Sequence, residues 1–266
     1  IMPPALRHLA LIALTLAGLA VIGIGWPLWR RAGHTLKTLP PPDRINPDFQ
    51  LVTFLTSFQI GVLLLTLFSI WLLVGLGIPW LLATWGLSAS RGLAAALLLQ
   101  SLGFQIVGLL LLWRFLRNAA VPFGSLLNPQ PWRPLLGRAL AAYLAMLPAL
   151  FLVSALNETI LSALGIPFSF QEVIQQFKLL ESPIAQGLMV VSIIAVAPVF
   201  EETLFRGLLF PWLAKRVGWP AAALASSALF AAIHFHLPSA VPLGVLGLFL
   251  CAVQAATGRL IYCVWI

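Results

Sequence analysis

The 266-residue chain is 61% hydrophobic and only 8% charged, whereas soluble domains carry about 25% charged residues. That leaves too little polar surface to face water, which excludes a soluble globular domain. The net charge of +8, from 15 basic and 7 acidic residues, does not imply nucleic acid as a partner. The basic residues fall at the ends of apolar runs and in short loops, where they orient helices and meet anionic headgroups. The expected partner is the lipid bilayer, and the expected fold is all-α: a polytopic transmembrane helical bundle of the cell membrane. The length allows seven complete spans of about 20 residues and the start of an eighth.

In chain order, a first apolar run from Leu6 to Leu28 is closed by Trp29 and Arg30-Arg31, as at a cytoplasmic helix exit. A broken connection over 30–49, rich in proline, leads to a second span at Phe49–Leu76, a Gly77-Ile-Pro79-Trp80 turn and an interfacial stretch to Ser90. The third span covers Gly92–Trp113. Residues 114–138 hold four arginines, four prolines and no acid, which reads as an irregular cytoplasmic loop. A fourth span at Ala139–Leu164 crosses away, and Gln171–Leu180 suits a short amphipathic surface helix.

The fifth span, Pro183–Leu213, exits at Lys215-Arg216, and the sixth runs from Pro220 to Phe235. Pro238 and Pro242 bracket a turn before a seventh span ending near Thr257, and residues 260–266 begin an eighth. This alternation places every strongly basic loop on one side, with the N-terminus on the other; Arg7 alone dissents. There is no internal repeat. Cys251 and Cys263 lie in apolar segments without metal-type spacing and read as small core residues. Ile1 and Ile266 both read as fragment boundaries.

Val196-Ala-Pro-Val-Phe-Glu-Glu-Thr-Leu-Phe-Arg206 stands out inside the fifth span. An ionisable group in the bilayer core costs about 2.5–3.5 kcal/mol on insertion scales, so two adjacent acids there point to function. Glu202 and Arg206 are four apart, share a helix face and can pair. Glu201 is rotated by about 100°, which leaves it to face a cavity. A simpler reading is a buried ion cluster that only specifies packing. Pro198 removes a helix hydrogen bond and should disturb the backbone near the acids.

The second element is Phe230-Ala-Ala-Ile-His234, with His234 near the end of the sixth span, thirty-three residues after Glu201. A carboxylate and an imidazole facing one cavity can activate a water and stabilise charge on a carbonyl. A zinc site from Glu201, His234 and His236 is an alternative. However, His-x-His on a helix turns the two rings about 200° apart, so His236 should be a bystander at the interface.

These residues resemble the CAAX-protease and bacteriocin-processing (CPBP) membrane proteins, which include the type II CAAX prenyl endopeptidases. The first family motif, Glu-Glu-x-x-x-Arg, is matched by Glu201-Glu202-Thr-Leu-Phe-Arg206, and the second, Phe-x-x-x-His, by Phe230-Ala-Ala-Ile-His234. The resemblance covers 183–266, a catalytic core following N-terminal spans and loops at 1–182. It implies an intramembrane endopeptidase in which Glu201 activates the attacking water and His234 helps stabilise the oxyanion. Glu202 and Arg206 would support them, with Phe230 and Pro198 behind. The substrate would be a peptide or protein, a prenylated C-terminal tetrapeptide being one option.

No cofactor is expected; if the enzyme were metal-dependent, Glu201 and His234 would be the zinc ligands. The family's third motif, His-x-x-x-Asn, is not found after His234, and the expectation is that the chain is cut short of it, leaving residues 1–266 inactive or impaired. Two other classes compete. One is a non-catalytic membrane scaffold or bacteriocin-immunity-type protein. The other is a transporter using Glu201 or Glu202 as a proton site, which the lack of repeats weakens.

Overall fold

A computed structural model of the chain describes residues 55, 57–84, 90–118, 132–166, 172–180 and 182–266. The expected first span, the 30–49 connection and residues 119–131 of the basic segment lie outside them. The described residues are mostly helical, without strands: α1 (Ser57–Thr84), α2 (Ser90–Asn118), α3 (Trp132–Ala163) and α4 (Glu172–Leu179) come first. The composite helix α5 (Pro183–Val217) follows, then α6 (Trp219–Ala232), α7 (Leu237–Thr257) and α8 (Leu260–Trp265).

Five of these helices (α1, α2, α3, α5 and α7) are long and apolar enough to cross a membrane. The chain is a multi-pass membrane protein. Its outward faces agree: Leu140, Leu144, Phe151, Leu156 and Ile160 of α3 are exposed. Such a stripe suits lipid, where it costs nothing to leave uncovered.

The helices fall into two packing units. In one, α7 packs against both α3 and α6, and α8 against α3 and α7. Gly247 is required there, because a Cβ would meet the Ser227 Cβ at 2.8 Å and its Cα at 3.0 Å. Cys251 and Cys263 form no disulfide and are buried in this unit, as small core residues. In the other unit, α2 packs against α1, α4 and the first half of α5. There the Trp212 and Arg216 side chains both donate to the Leu55 carbonyl, at 3.0 and 2.6 Å.

The punctuation read from glycine and proline needs correction in three places. Helix α1 continues through residues 77–80, where a turn was expected, since an apolar helix in lipid tolerates these residues when neighbours re-satisfy its backbone. The basic segment is helical at both ends, because α2 runs to Asn118 and α3 starts at Trp132.

The third correction concerns α7. It contains both Pro238, in its first turn, and Pro242 in its interior, whereas the pair was expected to bracket a turn. Pro238 sits where a missing N–H costs nothing. Pro242 deprives the Pro238 carbonyl of its helical donor, and Asn157 Nδ2 of α3 donates to that carbonyl at 2.7 Å. The actual turn lies before the prolines, and α6 accordingly spans only 14 residues.

Candidate active site

The acidic pair sits where α5 changes its hydrogen-bond register twice. The helix starts at Pro183 behind Ser182, whose hydroxyl accepts from the Ala185 N–H. At Ser192–Val196 the helix widens to a π segment, and the Ala197 N–H donates to the Ser192 carbonyl five residues back. Pro198, which has no N–H to offer, follows at once. A single α segment, Ala197–Glu202, carries both acids, and a second π segment occupies Thr203–Leu209. The backbone disturbance expected at Pro198 therefore takes the form of a widened turn ahead of it. Such segments are rare and recur at functional sites.

Arg206 Nη1 donates to Glu202 Oε1 at 2.7 Å, and both side chains are buried, with relative exposures of 0% and 5%. The i,i+4 pair anticipated from spacing forms. Thr203–Leu209 are buried without exception, so the arginine can find its counter-charge only inside the protein. The Arg206 guanidinium also lies 5.8 Å from the Phe205 ring centroid. Glu202 Oε2 and Thr203 Oγ1 are buried with no hydrogen-bond partner among the described residues. Glu201, one position earlier, is only half-buried.

Packing from α2 fixes this turn of α5. Phe200 meets Phe104 edge-on, with centroids 5.4 Å apart. Opposite it, Gly108 leaves so little room that a Cβ would stand 2.5 Å from the Phe200 ring. Upstream, Ser192 Oγ donates to Gln105 Oε1 at 2.8 Å. This pair ties the first residue of the π segment to α2. Sequence reasoning missed both residues, although polar side chains inside apolar spans were the available signal.

His234 lies just beyond the end of α6, in the turn before α7. As the helix unwinds, the His234 N–H moves to the Ala231 carbonyl and the Phe235 N–H to that of Ala232. The Phe230 carbonyl, which an α-helix would pair with the His234 N–H, instead lies 2.7 Å from His234 Nδ1. A carbonyl can only accept, so Nδ1 carries the proton and Nε2 is turned to other work. The Phe230 ring packs edge-on against the imidazole at 4.9 Å. The Phe-x-x-x-His motif thus fixes the tautomer of its histidine.

His236 is engaged elsewhere. It caps the N-terminus of α7, with Nδ1 2.8 Å from Ser239 Oγ. A helical rotation between the two histidines was expected, but they are separated by a turn with Phe235 at φ +47°. The structure therefore brings Glu202 to Arg206 within one unit, and Phe230 to His234 within the other. Among the described residues, no three His, Cys, Asp or Glu side chains gather as a metal-ligating set.

Residues 183–266 match the family model described as type II CAAX prenyl endopeptidase Rce1-like. This part of the chain is CPBP-like. The match bears out the resemblance carried by the two motifs and covers Pro198, Glu201, Glu202, Arg206, Phe230 and His234. Neither the curated proteins nor the solved structures contain a match to the chain.

Proposed function

We propose that the protein hydrolyses a peptide bond within the membrane by a glutamate-activated water, with the catalytic core at 183–266. The observation that carries this reading is the division within the acidic pair. Glu202 is buried and neutralised by Arg206, while Glu201 is half-buried on a segment held between two π segments. A half-buried carboxylate beside a buried, charge-paired one is suited to general-base work.

In the proposed reaction, Glu201 takes a proton from water as the oxygen attacks the scissile carbonyl carbon. The C=O bond opens to an oxyanion, the C–N bond then breaks, and Glu201 returns the proton to the leaving amine. His234 contributes charge stabilisation through Nε2. With Nδ1–H committed to the Phe230 carbonyl, Nε2 can donate to an oxyanion only when the ring is an imidazolium. Glu202 and Arg206 support the turn that carries Glu201. The substrate is a membrane-associated peptide or protein, and a prenylated C-terminal tetrapeptide is the first to try.

The test is Glu201→Gln, nearly isosteric, in the full-length protein reconstituted in liposomes with a fluorogenic prenylated peptide. Cleavage is expected to vanish while thermal unfolding stays unchanged. Retained cleavage would sink the mechanism.

A further inference from the structure

We propose that the protein has a second site, a pocket for a primary ammonium group at the end of α3, separate from the residues assigned to catalysis. A cavity of about 420 Å³ lies between the last turns of α3 and the first turns of α7. That volume falls within the range of about 300–1,000 Å³ typical of small-molecule sites. Its polar lining comes from Ser154, Asn157, Glu158, Ser162 and Ser239.

Glu158 supplies the charge. It lies near the end of the span Gly137–Ala163, its side chain is exposed, and it has no ion pair among the described residues. Its place five residues before the end of that span puts it about 7 Å inside the span's end along the helix. This is the depth at which lipid headgroups meet the hydrocarbon core. The oxygens around it select further. Asn157 gives its amide N–H to the Pro238 carbonyl and keeps its carbonyl oxygen for accepting. The three serine hydroxyls can also accept. One carboxylate among acceptors suits a primary ammonium, with three N–H donors, better than a quaternary one with none.

A primary ammonium at this depth can come from an ethanolamine lipid headgroup or from a soluble amine. The depth favours the lipid. Ser239, which forms one wall, also holds His236, two residues from His234.

The full-length protein in phosphatidylcholine nanodiscs, titrated with phosphatidylethanolamine and examined by native mass spectrometry, tests the proposal. One phosphatidylethanolamine should be retained, and phosphatidylglycerol should not replace it. Glu158→Gln should weaken retention about tenfold or more. Ser162→Leu, which fills the cavity and leaves the carboxylate in place, should weaken it equally. Displacement by millimolar ethanolamine would assign the site to soluble amines as well; failure of ethanolamine to displace would restrict it to lipid. Retention equal to that of phosphatidylglycerol, or unaffected by both variants, would overturn the proposal.

Discussion

Breaking the Glu202–Arg206 pair from one side should be far worse than removing it from both. At 2.7 Å and an effective dielectric constant near 20, the attraction is about 6 kcal/mol. Each ion also loses several kcal/mol of hydration on burial, so the intact pair comes out close to neutral. Arg206→Met removes the attraction but leaves the Glu202 carboxylate buried, and should destabilise the protein by about 3–5 kcal/mol. Adding Glu202→Gln removes the stranded charge and should recover at least half of that loss. Denaturant unfolding in detergent micelles, followed by tryptophan fluorescence, measures both variants. If the double variant is no more stable than Arg206→Met, the loss arises from the packing of the fully buried arginine, and the charge argument fails.

Replacing His234 with Gln keeps a hydrogen-bond donor but no positive charge; cleavage should fall about 10²–10³-fold, with unchanged unfolding. A neutral donor that restores most activity would refute the imidazolium role. Gly247→Ala must push α7 from the Ser227 backbone and should cost about 1–3 kcal/mol. Gly103→Ala, with open space around its Cα, should instead stabilise α2 by up to about 1 kcal/mol; equal effects in unfolding experiments would contradict the packing described. Strong chelation should leave cleavage intact under the glutamate mechanism, and activity lost to chelator and restored by zinc would overturn it.

What could be read from the sequence was mostly what chemistry makes costly. Acids in an apolar run were conspicuous because lipid does not tolerate them without cause, and the Glu202–Arg206 pairing followed from spacing. The long apolar runs that form α1, α2, α3, α5 and α7 were also legible, since such runs have few alternatives to a membrane helix. Proline and glycine were the misleading signals. In water Pro238 and Pro242 would bracket a turn, but here a side-chain donor, Asn157, repairs the backbone that Pro242 breaks. That donor lies 81 residues from its acceptor, and no local pattern announces such a partner. Gln105 and Ser192 were missed for the same reason, being informative only as a pair.

The two π segments explain why periodicity could not settle the face presented by Glu201. Each widened turn adds a residue relative to the 3.6-residue repeat and so advances every later side chain by about 100°. With one such shift before Ala197 and another after Glu202, the helix faces upstream, at the acids and downstream no longer share one phase. A wheel drawn through the whole span puts Glu201 on a face that belongs to neither half. The Ser192–Gln105 bond anchors the start of the first shift, and the Phe200–Phe104 contact anchors the short register between the two. Orientation of the acidic pair is therefore set by α2, through residues that carry no charge and lie far from it in sequence.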